Sequence, residues 1–355
     1  MVVDLLGIEP QKVSTDVASY SMLIVGGVKV GKSTLVHDLY GERVLHVMTE
    51  KRYKALAGAD VQYVSSWSEY LQVLSQLKNA KIKERYDVVS IDTIDNLIPM
   101  LEKYVATKYD ETAIGERSDI WGADWTDAKT MWRDGMQMIE RLGYVPAFVS
   151  HSIQNTIQIP KENILESEAS ELTSYSEGID KKTGQNYIEF LQYQPDVKQK
   201  YLAVINNMVD NILYLDSTID TAGNEKRVIH LRGTLQYQAG STFKNIAPVI
   251  PLNAEAYKQA ISDAVNGVDD KDKTDVRQAD ADTADVKLDF QALMEEGRLV
   301  GTAMFAAGQG DAVNAIVDKV FGTGHKLSEA TESQVELVSV AVSELKAKAE
   351  ELNIK

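Results

Sequence analysis

Cysteine is absent from the 355-residue chain, which removes disulfides and thiolate metal sites from consideration. No apolar run reaches the roughly eighteen residues that a membrane-spanning helix needs, so no membrane role is expected. The first ten residues lack a basic stretch followed by an apolar one, which argues against secretion and makes a cytoplasmic location the simplest expectation. Basic residues are in short supply: 37 Lys and Arg face 53 Asp and Glu, for a formal charge of −16. Such a balance excludes a uniformly basic nucleic-acid binder, while a local basic groove stays compatible with it.

Hydrophobic residues make up 44% of the chain, enough for a sizeable core. From Asp263 to Asp285, eight aspartates face three basic residues. Residues 267–286 also lack aromatics and apolar periodicity, a composition that cannot offset its ordering entropy by burial. The expected organisation is a large domain over 1–262, an acidic flexible linker over 263–286 and a small module over 287–355. In the large domain, short apolar runs at Ser21–Val25, Val44–Met48, Asp87–Ile91 and Pro146–Ser150 alternate with helical patterns at Lys32–Tyr40, Ser68–Lys78, Asp95–Lys108 and Thr126–Leu142. That alternation predicts βαβ units and an α/β fold with a mostly parallel sheet. Further strands are expected at Tyr187–Tyr193, Val209–Asp216 and Arg227–Leu231. The module reads as three helices, near Leu288–Ala307, Asp311–Phe321 and Glu332–Leu352, separated by glycine-containing breaks.

The strongest motif is Gly26-Gly27-Val28-Lys29-Val30-Gly31-Lys32-Ser33, followed by Thr34. It has the full Walker A spacing and sits between an apolar strand and a helix. Glycines allow backbone N–H groups to curl around phosphate oxygens, and the helix N-terminus adds its dipole and free donors. Lys32 is expected to reach the terminal phosphates and Ser33 to ligate Mg²⁺, so ATP with Mg²⁺ is the expected ligand pair. The run Val88-Val89-Ser90-Ile91-Asp92 ends an apolar strand in a carboxylate, a Walker B pattern that makes Asp92 a second Mg²⁺ contact. Asp95, three residues on, reads as a helix cap. Glu50 follows the strand Val44–Met48 and is a candidate for orienting the attacking water, with an ordinary surface glutamate as the alternative. His151 closes the run Pro146–Ser150 and is a candidate sensor of the terminal phosphate, with a strand-end polar residue as the alternative.

In order, these parts are P-loop, helix, strand ending in Glu50, Walker B, and strand ending in His151. The order resembles the RecA-like ATPase core. More narrowly, Lys29-Val30-Gly31-Lys32, the stretch Tyr86–Asp95, Trp121-Gly122, Phe148-Val149-Ser150-His151 and Val209–Leu215 resemble the phage-encoded RecA-like nucleotide-binding AAA proteins of the Sak type. That resemblance covers about Ser21 to Pro251. It implies ATP hydrolysis with Glu50 as the water-orienting base, and a role in phage DNA recombination or single-strand annealing. It also implies single-stranded DNA as a partner that stimulates turnover, and a homo-oligomer whose neighbour lends a basic residue to the phosphate. Arg227, Arg232 and Lys244 are the candidates for that last role. For single-stranded DNA, Lys181, Lys182, Lys198 and Lys200 interleave with Tyr187, Tyr193 and Tyr201, offering charge and stacking surface; strand packing is the alternative for the tyrosines. Annealing proteins of this kind often end in a small helical domain that docks single-stranded-DNA-binding protein, and Gly324–Ser328 followed by a helix loosely resembles it. Two further classes share the loop: a nucleotide-dependent scaffold or switch, and a small-molecule kinase, although no arginine cluster follows Walker B.

Overall fold

The computed structural model describes residues 10–165, 172, 174–219, 222–278 and 289–354. They fall into two compact units, divided between residues 284 and 285.

In chain order, the larger unit contains β1 (Val13–Ser14), β2 (Met22–Gly26), α1 (Lys32–Tyr40), β3 (Val44–Met48), β4 (Asp60–Tyr63), α2 (Trp67–Gln76), α3 (Ala80–Lys83) and β5 (Val88–Asp92). It continues with α4 (Ile94–Lys108), α5 (Ala123–Arg141), β6 (Val145–Pro160), β7 (Tyr175–Ile179), β8 (Asn186–Pro195), α6 (Gln199–Asn206), β9 (Asn211–Ile219) and β10 (Glu225–His230). β11 (Gly240–Ser241), β12 (Val249–Pro251), α7 (Ala254–Val265) and β13 (Lys273–Thr274) complete it.

The main sheet runs β12-β10-β9-β2-β6-β5-β3-β4. Its pairings from β9 to β4 are parallel, and β10 and β12 extend it antiparallel at one edge. β6 is inserted between the P-loop strand β2 and the Walker B strand β5, the arrangement of a RecA-like P-loop core. The expected α/β fold with a mostly parallel sheet is therefore what the chain adopts. The central strands are near-continuous apolar runs because helices cover both of their faces. On one face α1 and α7 bury Leu35, Val36, Tyr257 and Ile261. On the other, α2, α4, α5 and α6 close over Trp67, Tyr70, Trp132 and Tyr201. There Tyr70 donates to the Gly135 carbonyl at 3.0 Å, and the Trp132 indole donates to the Tyr201 carbonyl at 3.1 Å. A Cβ at Gly135 would lie 3.1 Å from the Trp67 ring, so the glycine lets α5 approach α2 closely.

Two expectations change here. The strand expected to end at Ser150 continues to Pro160, leaving the parallel sheet after His151 and pairing antiparallel with β8, which pairs with β7. Ile153, Ile157 and Ile159 alternate with polar residues, so the period-two signal for this arm is present in the sequence. The segment read as a linker from Asp263 is also structured as far as Gln278. α7 runs to Val265 and β13 pairs with β1. The Arg277 guanidinium donates to the Ala18 carbonyl at 3.1 Å, the Asp87 carboxylate at 2.8 Å and the Gly143 carbonyl at 2.9 Å. Beyond Val265, strand pairing and charge-assisted hydrogen bonds anchor this stretch with little apolar burial, which is why composition did not reveal it. The remainder, 279–286, lies outside the described residues.

The smaller unit is a bundle of α8 (Phe290–Ala306), α9 (Gly310–Phe321) and α10 (Val335–Glu351). Its core is built on Met304, Val313, Leu345 and Ala349. Asp289 caps α8 by accepting from the Ala292 N–H at 3.0 Å, and Thr331 with Gln334 forms a capping box ahead of α10.

Candidate nucleotide site

β2 delivers the chain to the P-loop at Gly26, which pairs with His151 on one side and Leu215 on the other. A Cβ on Gly26 would stand 2.8 Å from the Leu215 carbonyl oxygen, so only glycine lets the loop leave the sheet here. Lys29 and Gly31 both adopt left-handed backbone conformations, with φ of 65° and 113°. Left-handed residues in such a loop turn successive N–H groups toward one concavity, the nest that suits phosphate. Val30 is packed into the core, whereas Val28 stands 61% exposed on the outside of the loop.

Lys32 opens α1, and its ammonium donates to the carbonyls of Gly26 at 2.9 Å and Gly27 at 2.8 Å. Burial lowers its pKa, while Asp92, Asp95 and Glu50 pull the other way. One residue on, the Ser33 hydroxyl donates to the Asp92 carboxylate. Asp92 is only 4% exposed; burial raises its pKa, and the Ser33 hydrogen bond and the Lys32 charge counter that rise. A hydroxyl and a carboxylate meeting at a helix N-terminus form a hard-oxygen pair of the kind Mg²⁺ accepts beside phosphate and water. The donor set therefore fits the ion.

β3 and β5 are stitched together at this edge. The Thr49 N–H donates to the Asp92 carbonyl at 2.8 Å, its hydroxyl donates to the Thr93 carbonyl at 3.1 Å, and the Thr93 N–H donates back to that hydroxyl at 2.9 Å. This lock sets Glu50 against the first turn of α4, where the Asn96 amide donates to its Oε1 at 2.7 Å. Arg52 approaches Oε2 at 3.3 Å from a solvent-exposed position.

Asp95 is not the helix cap expected. Thr93 occupies the cap position of α4, and the Asp95 carboxylate turns to His151, accepting from its backbone N–H at 3.0 Å and from ring Nδ1 at 2.8 Å. Burial works to raise the Asp95 pKa, but the hydrogen bonds from His151 outweigh it and hold the carboxyl below its ordinary value. The same bond raises the His151 pKa against the opposing effects of burial and the Lys32 charge. His151 is also where β6 leaves the core sheet for the arm, and its carbonyl accepts from the Asp196 N–H at 2.8 Å at the arm's return. Asn96 and the Asp95–His151 pairing escaped sequence reading because the partners lie 46 and 56 residues apart.

The profile of a family described as an AAA domain (AAA_24) matches residues 18–243. The chain belongs to this family. The chain is 26% identical, over 357 residues and 98% of each protein, to the SPbeta prophage-derived uncharacterized protein YorG of Bacillus subtilis (strain 168). Among solved structures, the flagellar accessory protein FlaH from Methanocaldococcus jannaschii aligns at 14% identity over 66% of this chain and 86% of that one, with a TM-score of 0.29. That likeness carries no argument, and the fold of the AAA domain rests on the strand order described above.

Other sequence candidates fare differently in the AAA domain. Tyr201 is fully buried, and its hydroxyl donates to Glu102 at 3.2 Å. Tyr193 packs in a stack with Tyr214 and Tyr237. Tyr201 therefore packs in the core, and Tyr193 is partly buried within its ring cluster. Lys198 is paired with Glu102 at 2.8 Å, and Lys200 lies 3.2 Å over the Trp125 ring. Lys181 and Lys182 sit apart from these, at the β7–β8 turn. The Arg232 guanidinium donates to the carbonyls of Ser241, Phe243 and Lys244 of its own chain, which occupies it as a reaching residue. Arg227 pairs with Glu225 at the surface, and Lys244 is exposed. Among the described residues, no helix is long and apolar enough to cross a membrane.

Proposed function

We propose that the protein is a Mg²⁺-dependent ATPase of the RecA-like type, working as a homo-oligomer on phage DNA in recombination or single-strand annealing. The observation that carries the ATPase reading is the meeting of Lys32, Ser33, Asp92, Glu50 and the Asp95–His151 pair at one edge of the sheet. The loop N–H groups and Lys32 bind the phosphates. Ser33 and Asp92 hold Mg²⁺, which when bound neutralises phosphate charge and orients the terminal group. Glu50 orients the attacking water. His151, with Nδ1 held by Asp95, turns its other ring nitrogen to the terminal phosphate, and its raised pKa favours the cationic form there.

The DNA reading draws on the Sak-type resemblance and on the prophage origin of the relative YorG. The arm, 152–195, counts against a large phosphate footprint of its own, having seven acids and three lysines. Single-stranded DNA therefore approaches through a limited set of contacts, with Lys181 and Lys182 at the arm's turn as the accessible pair. In the oligomer Arg227 or Lys244 is the residue lent to a neighbour's phosphate, and the smaller unit docks single-stranded-DNA-binding protein.

The test compares ATP turnover without DNA, with single-stranded DNA and with duplex, for the wild type and Lys32→Ala. The reading expects turnover that rises with single-stranded DNA and vanishes in the variant. Turnover indifferent to DNA removes the recombination role and leaves the ATPase. A nucleotide-driven switch is the second reading, favoured by the direct continuity from His151 into the arm. Loss of turnover with DNA function retained in Glu50→Gln would select it.

A further inference from the structure

The site contains one polar contact that the roles above leave unused. Asn96 stands on the first turn of α4, directly after Asp95, and donates its amide to Glu50 Oε1 at 2.7 Å. The other Glu50 oxygen faces Arg52 at 3.3 Å, whose side chain is 65% exposed. These two contacts are unequal. A salt bridge to a solvated guanidinium contributes little and is easily exchanged for water. The Asn96 bond is short and comes from a helix turn locked at Thr93 and Asp92 by the Thr49 hydrogen bonds.

We propose that Asn96 is the positioning residue for Glu50. It fixes one carboxylate oxygen and the plane of the group, leaving Oε2, after Arg52 swings away, as the oxygen that meets the attacking water. The amide is suited to this task because it donates without adding charge, in a site where Lys32, Asp92 and His151 already interact electrostatically with Glu50. A lysine here would neutralise the base, and a carboxylate would repel it. One helical turn thereby serves two flanks of the phosphate: Asp95 fixes His151, and Asn96 fixes Glu50. This inference rests on the ATPase reading and on Glu50 as its water-orienting group.

The experiment measures kcat and the equilibrium Kd for a fluorescent ATP analogue in the full-length wild type, Asn96→Ala, Asn96→Asp and Glu50→Gln. Misplacing a reacting group by about 1 Å costs on the order of 100-fold in rate. Asn96→Ala is expected to lose at least about tenfold in kcat with Kd changed less than about twofold. Asn96→Asp keeps the shape but turns the donor into a like charge, so its kcat should fall below that of the alanine variant. A purely structural Asn96 predicts the reverse order, with the isosteric aspartate nearest to wild type. That order, or unchanged kcat in both variants while Glu50→Gln is inactive, overturns the inference and leaves the ATPase reading standing. A Glu50→Gln enzyme that still turns over would instead overturn the role of Glu50 itself. Thermal melts of all four proteins identify a variant that merely misfolds, and for such a variant the Asn96→Gln change replaces it as the donor-retaining test.

Discussion

Acid should weaken the AAA domain through one buried histidine. His46 on β3 is 0% exposed, and neither of its ring nitrogens has a hydrogen-bond partner. Its parallel neighbour on β5 is Ser90, whose hydroxyl is likewise buried without a partner. From α1, the His37 ring approaches to 5.8 Å between centroids. Burial first, and then His37, push the His46 pKa from 6.5 down to about 4, with Asp60 on β4 giving only partial relief. The folded protein thus holds the ring neutral, while the unfolded chain takes up a proton below pH 6.5. The sign follows: His46 costs nothing above that pH, and stability is lost progressively as pH falls from 6.5 toward 4. The full penalty is about 3 kcal/mol, of which about 2 kcal/mol is present at pH 5. His46→Leu removes the titrating ring and its two orphaned nitrogens, a change that ought to be near neutral at pH 7. Urea unfolding followed by tryptophan fluorescence isolates the right unit, because Trp67, Trp121, Trp125 and Trp132 all lie within it. Between pH 7 and pH 5 the wild type should lose about 2 kcal/mol more than His46→Leu. Parallel pH profiles for the two proteins would refute the reasoning, since every other titrating group is common to both.

Three more outcomes follow from the packing and the charge distribution. Gly26→Ala brings a Cβ to 2.8 Å from the Leu215 carbonyl and should destabilise by about 1–3 kcal/mol. Gly27→Ala meets nothing within 4 Å and should stay within about 0.5 kcal/mol of wild type, so melts of the pair separate packing from phosphate binding. Arg277→Ala deletes hydrogen bonds to Ala18, Asp87 and Gly143; a loss of about 2–4 kcal/mol is expected, together with faster protease cutting near residues 273–278. Replacing Lys181 and Lys182 with alanine should lower the salt slope of single-stranded DNA binding by roughly two phosphate contacts, and an unchanged slope would take the arm's turn off the DNA path.

The sequence was most legible where one local rule dominates. Walker A spacing and the apolar strand before it placed α1 over Lys32–Tyr40, as observed. Glycine breaks and helical periodicity located the three helices of the smaller unit to within about three residues at each end. What failed to show was pairing across distance. Asp95 looked like a cap because Asp near a helix start usually caps, and nothing local reveals that His151 waits 56 residues away. The region 263–278 looked unstructured because its composition is acidic and poor in apolar residues, yet Val265 in the core, the pairing of β13 with β1 and the Arg277 bonds to Ala18, Asp87 and Gly143 hold it. His151 looked like a strand end because the apolar run stops there. In fact only the burial stops, and the backbone continues as a strand into the arm.

That last point changes what the nucleotide site is attached to. Walker B, Asp95 and Asn96 occupy five consecutive residues from Asp92, so a shift of this turn acts on the Ser33 contact, on His151 and on Glu50 together. His151 in turn is covalently the root of the arm, and Tyr214, next to Val25 of the P-loop strand in register, packs against Tyr193 of the arm with ring centroids 5.6 Å apart. Rigid strands on either side leave little freedom for the arm to move without moving His151. Under the proposed function, a ligand that prefers one arrangement of the arm would alter nucleotide affinity, and nucleotide would alter that ligand's affinity by the same factor. Coupling of this kind needs no separate device, because one strand carries both the arm and His151, the histidine proposed to meet the phosphate.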